Sequence, residues 1–130
     1  MTHEWERAVM AGDAEAVREL LLEGIDPDAP NDHGQTALML AAHHGHTAIV
    51  DLLVLARAAL DIAAKHNLTA LMLAIIAGHE DIARALVRAG AGLGAQGSGA
   101  PGFAGKTARE LADERGMHAL VGEMTARRPG

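Results

Sequence analysis

Apolar residues recur along this chain at helical spacing in short paired segments, and a glycine interrupts each pair. Trp5, Ala8 and Val9 make the first run and Val17, Leu20 and Leu21 the second, with Gly12-Asp13 between them to stop one helix and cap the next. Gly24 stands where the second helix needs a left-handed end, and Ile25-Asp26-Pro27-Asp28-Ala29 leaves it in extended form. The next pair is more regular. Thr36 is placed to cap a helix running to about His44, Gly45 permits the turn, and a helix from about Thr47 is expected to bury Ile49, Val50, Leu52, Leu53 and Leu55. The same pattern predicts helices over about Ala70–Ala77 and Glu80–Ala89.

These pairs are copies of one another. Thr36-Ala37-Leu38-Met39-Leu40-Ala41 returns 33 positions later as Thr69-Ala70-Leu71-Met72-Leu73-Ala74, and Gly45-His46 returns as Gly78-His79. In the other direction Gly12 falls on Gly45, Ala8 on Ala41 and Leu20 on Leu53. A fixed period of this size marks a stack of like units, and with the T-x-L-x-x-A signature the chain resembles the ankyrin-repeat family from about Glu4 to Met124. The resemblance implies an all-α solenoid of helix-turn-helix units with hairpin-like turns between repeats. The expected organisation is a single domain over 1–130: an N-terminal capping repeat 3–31, full repeats 32–64 and 65–97, and a segment 98–126 that joins a glycine-rich insertion to a C-terminal capping repeat.

Departures from the family pattern carry expectations of their own. Where the family has Thr-Pro-Leu-His, this chain has Thr36-Ala37-Leu38-Met39, which weakens the start signal and substitutes packing for a hydrogen bond. Arg57 occupies the position of Gly24 and Gly90, and an arginine with positive φ is costly, so an altered helix end is expected there. Asn67 replaces Gly34 and tolerates the same geometry. Thr107 comes five residues later than the period requires, which places an insertion within Gly90–Gly105; its composition predicts a loose loop. Arg109, Glu110, Asp113, Glu114 and Arg115 give the last unit the polar outer side of a cap.

Composition narrows the picture further. Apolar residues make up 49% and aromatic ones only 2%, so the core must be built from Leu, Ile, Val, Met and Ala, with Trp5 as a plug closing the first layer. A net charge of −6 and a pI near 5.7 give no basic footprint for nucleic acid. Cysteine is absent, which excludes disulfide and thiolate chemistry. No secretory h-region and no membrane-spanning run is expected, and a cytoplasmic protein is the simplest reading. The Ala-, Gly- and Arg-rich composition, with Lys65 and Lys106 the only lysines, hints by association alone at a GC-rich bacterial source.

Two constellations could carry small-molecule chemistry. Ala100-Pro101-Gly102-Phe103-Ala104-Gly105-Lys106-Thr107 resembles a phosphate-binding loop, in which Lys106 would neutralise phosphate and Thr107 would reach magnesium. That motif needs a buried strand before it, and Ala89–Gly99 holds only Leu93 as a large apolar residue. His43, His44 and His46, with His33 and His66 in the turns, could serve a metal or cofactor, but adjacent helical side chains diverge by roughly 100°. No nucleophile with a base and an orienting group is recognisable, and Glu15, Glu19, Asp51, Glu80 and Asp81 fall on outward positions.

The resemblance assigns partner binding to the turn tips and the inner helices. In this sequence those positions are Asp32, His33, Gln35, His43 and His44 in one repeat and Lys65, His66, Leu68, Ile76 and Ala77 in the next. Met10 aligns with His43 and Ile76, and Phe103 in the insertion could close over the same partner. Leu68 and Ile76 are expected to face outward as the apolar centre of the patch. The reading is a non-catalytic, cofactor-free module that binds another protein as a regulator, inhibitor or immunity-type protein, and is a monomer when free. The alternatives are a nucleotide-binding enzyme using Lys106 and Thr107, or a histidine-based metal or cofactor binder.

Overall fold

The computed structural model describes residues 1–99 and 102–127. Eight helices stack in four antiparallel pairs: α1 (His3–Ala11) with α2 (Ala14–Leu22), α3 (Ala37–His44) with α4 (Thr47–Leu55), α5 (Ala70–Ala77) with α6 (Glu80–Ala89), and α7 (Ala108–Glu114) with α8 (His118–Ala126). The first helices of the pairs pack α1 on α3, α3 on α5 and α5 on α7, and the second helices pack α2 on α4, α4 on α6 and α6 on α8. No strand forms among the described residues; only isolated bridges join Gln96 to Thr107 and Gly97 to Ala104.

Five of these eight helices begin where a side chain satisfies a free N–H group of the first turn. The hydroxyls of Thr36 and Thr69 accept from Met39 and Met72, both at 3.3 Å, and the Asp13 carboxylate accepts from Ala16 at 3.1 Å. Thr107 and Glu110 exchange hydrogen bonds in a capping box that starts α7. Trp5 is fully buried as the plug of the first layer, and the core runs from it through Leu38, Leu53, Leu71 and Leu86 to Leu120.

Three local expectations are corrected. Arg57 does adopt positive φ, 62°, but the helix end is unaltered. Ala58 N donates to Leu53 O at 3.0 Å just as Ile25 N does to Leu20 O and Ala91 N to Leu86 O. The repeat geometry is imposed by packing on both sides, so the arginine bears strain on the order of 1–2 kcal/mol instead of moving the chain. Leu55 is not buried: it stands 200° around α4 from Leu53 and is 80% exposed, while Leu52 lies between and is half-buried. The glycine-rich insertion is pinned as well. Gly97 N donates to Lys106 O at 2.9 Å, Ser98 N to His66 O at 2.8 Å and Asn67 Nδ2 to Gln96 O at 2.9 Å.

That pinning shows where the five extra residues go. Asn31 with Gln35 and Ala64 with Leu68 close the two regular turns through an N–H to carbonyl bond. Gly97 with Lys106 closes the third in the same way, so the insertion enlarges a turn tip and leaves the helices in register.

Candidate functional site

Two successive turn tips and the flank of the inner helix α5 line a groove of about 550 Å³. Asp32, His33 and Gln35 line it from one tip and Lys65, His66 and Leu68 from the other, with Ala64 and Leu73 completing the wall. Six residues singled out in the sequence therefore meet in one place. The first tip is shaped by Asn31, whose Oδ1 accepts from the N–H groups of His33 and Gln35, both at 2.9 Å. In the second tip His66 and Asn67 take positive φ, 64° and 58°, in a short 3-10 turn. Asp32, His33 and Lys65 are exposed, so the rim carries one carboxylate, one ammonium and an imidazole ring.

The predicted apolar centre is in part corrected. Leu68 is only 7% exposed, because its carbonyl closes the turn to Ala64 and its side chain joins the core from the groove floor. Ile76 is half-buried on α5. Its row-mates Met10, 43% exposed, and His43 are open to solvent at the C-terminal ends of α1 and α3, beside exposed His44 and not in the groove. Ala77 is half-buried at the end of α5. Phe103 reaches the second tip from the other side, its ring 5.6 Å from that of His66. Leu73 was overlooked because it stands in register with Leu40, which the stack buries; the flank of α5 opens where the groove begins.

The histidines do not converge. His46 Nε2 lies 3.2 Å from Met10 O and His79 Nε2 lies 3.2 Å from His43 O, so each ring ties one repeat to the preceding one and caps nothing in its own helix. His43 and His44 rings stand 5.1 Å apart, and His44 and His46 rings 6.1 Å apart. Among the described residues no group of three or more His, Asp or Glu is disposed to hold a metal ion. Partial desolvation of this largely exposed ring, followed by the neighbouring His43, His46 and His79, holds the His44 imidazole below its ordinary pKa. A depressed histidine pKa means that the unfolded chain binds more protons. The stability linked to His44 is thus complete above about pH 6.5 and lost as pH falls through the folded-state value. Melting temperatures measured from about pH 7.5 to 5 should fall less steeply in His44→Gln than in the parent. Superimposable profiles would show that His44 does not contribute.

The phosphate-loop reading finds its groups engaged elsewhere. Lys106 Nζ bonds both carboxylate oxygens of Glu114, at 2.5 and 2.9 Å, and the Thr107 hydroxyl accepts the Glu110 N–H at 3.3 Å. Ala100 and Pro101 of the motif lie outside the described residues. Lys106→Ala is expected to leave nucleotide affinity unchanged, since none is expected in the parent. Magnesium-dependent ATP or GTP binding that disappears in this variant, measured by calorimetry, would overturn that expectation.

Comparison with known proteins settles the family. The model for ankyrin repeats in three copies matches residues 5–96. The chain belongs to the ankyrin-repeat family. It is also 46% identical over 46 residues to two ankyrin repeat proteins of Rickettsia felis; that match covers 35% of this chain and 73% and 70% of theirs. Ankyrin repeats are protein–protein interaction modules, and this ankyrin stack has no helix, among the described residues, long and apolar enough to cross a membrane.

Proposed function

We propose that this ankyrin-repeat protein is a non-catalytic, cytoplasmic module that holds a partner protein along the turn tips and the inner-helix ends. By covering part of that partner it regulates, inhibits or neutralises it. What supports the reading is the meeting of Asp32, His33, Gln35, Lys65, His66 and Leu68 in one groove, reached from two separate repeats. An apolar wall of half-buried Ala64 and Leu73 with a charged rim gives a partner area to bury and charges that fix its orientation. Met10, His43, His44 and Ile76 extend the surface along the inner-helix ends, and Phe103 extends it to the enlarged third tip.

The partner is to be found by capture from the native host and mass spectrometry, then purified for titration. Because Leu68 is buried, its replacement by Asp would report on folding. The informative variant is Asp32→Lys with Lys65→Glu, at exposed side chains without hydrogen-bond partners among the described residues. It should keep the parent's melting temperature and bind the purified partner about tenfold or more weakly. Unchanged affinity in a folded variant would remove these tips from the interface.

A further inference from the structure

The outer helices leave an apolar strip uncovered. Leu22 and Leu55 end α2 and α4, one repeat apart, and are 81% and 80% exposed. Half-buried Leu21 and Leu52 add apolar surface on the same two helices. One turn back from the exposed leucines stand Arg18 and Asp51, again at equivalent positions and both exposed. Neither forms an ion pair among the described residues. Glu19 and Glu23 are exposed beside Leu22. On α6 the position equivalent to Leu22 and Leu55 is Arg88, whose side chain is 62% exposed although it pairs with Glu123.

We propose that this face binds a second copy of the chain, around a two-fold axis running between α2 and α4 and parallel to them. Such an axis exchanges positions one repeat apart. Leu22 then meets Leu55 of the second copy, and Leu55 meets its Leu22. Arg18 meets Asp51 of the second copy, and Asp51 meets its Arg18. The second copy's α6 lies beyond α2, which brings its Arg88 toward Glu19 and Glu23. An isologous interface requires that if i meets j, then j meets i, and the 33-residue repeat supplies such pairs without further adjustment.

The occupant follows from the charges. Arg18 and Asp51, unpaired in the single chain among the described residues, find their opposites on a copy of the same face, and the two exposed leucines find each other. This replaces the monomer expected from the sequence. The face is made by the outer helices and the groove by the turn tips and an inner helix, so the dimer does not depend on the partner-binding reading.

Sedimentation equilibrium of the full chain from about 1 to 300 µM tests the proposal in a range suited to a small interface. The parent should pass from monomer to dimer within it. Arg18→Asp and Asp51→Arg should each weaken association about tenfold or more, and the two together should restore it to near the parent value. Leu22→Glu with Leu55→Glu should remain monomeric with an unchanged melting temperature. A parent that is monomeric throughout would overturn the proposal. So would a double charge reversal that associates no better than the single ones, a result that does not depend on how the leucine variant folds.

Discussion

Leu53→Ala is expected to lower stability by roughly 2–5 kcal/mol, the range for a cavity left by a buried leucine. Leu53 is fully buried in the last turn of α4, between α2 and α6, and its carbonyl holds the N–H of Ala58 at the helix end. Neighbouring repeats clamp both sides, which leaves little room to collapse into the void. Glu80→Ala, one helix away, should cost no more than about 1 kcal/mol, because the carboxylate is half-buried and makes one bond, accepting from Leu120 N at 3.3 Å. Urea denaturation compares the two directly. Coincident midpoints would mean that the repeat register is wrong.

Gly45→Ala should be more damaging than Gly78→Ala, its equivalent at the next inner turn, as should Gly12→Ala, whose Cβ would meet His46 in the same way. Gly45 has φ 79°, and a side chain in that region costs about 1–2 kcal/mol. A Cβ there would also stand 2.8 Å from Cε1 and 3.0 Å from Nε2 of His79. The ring must then move and give up its bond to His43 O, bringing the expected total to roughly 2–3 kcal/mol. Gly78 is the natural control. Its φ is 84°, but nothing lies within 4 Å of a Cβ, because Met117 and not histidine follows in the next repeat. Gly78→Ala should therefore carry only the backbone cost, and the difference between the two sites should vanish in a His79→Ala background. Equal losses for Gly45→Ala and Gly78→Ala in the parent would show that the ring contact does not matter.

The same residues show how much of this protein was legible in its sequence. Helix limits followed from periodicity and caps, since Thr36, Thr69 and Asp13 act within four residues of themselves. Contacts between repeats were not legible, because they join positions 25 to 40 apart with no local signal. Asp28 accepting from Ala59 N at 2.8 Å, and Asp61 from Gly92 N at 2.7 Å, is one such pair of links. The bridges from His46 and His79 to the preceding repeat are another. Exposure was legible only by angle. Leu55 reads as core by composition but points away by its phase on the helix, and Leu68 reads as surface by alignment with Gln35 but turns inward beneath its own turn. Arg57 keeps a glycine's geometry because its neighbours fix the chain, which no single-residue preference predicts.

Hydrogen exchange on the complex with the purified native partner tests the central claim most directly. Compared with the free protein at the same concentration, the backbone amides of residues 31–35 and 64–68 should gain protection, together with the C-terminal ends of α1, α3 and α5. Protection confined to the outer helices α2, α4 and α6, with both turn tips exchanging as in the free protein, would contradict binding through the groove.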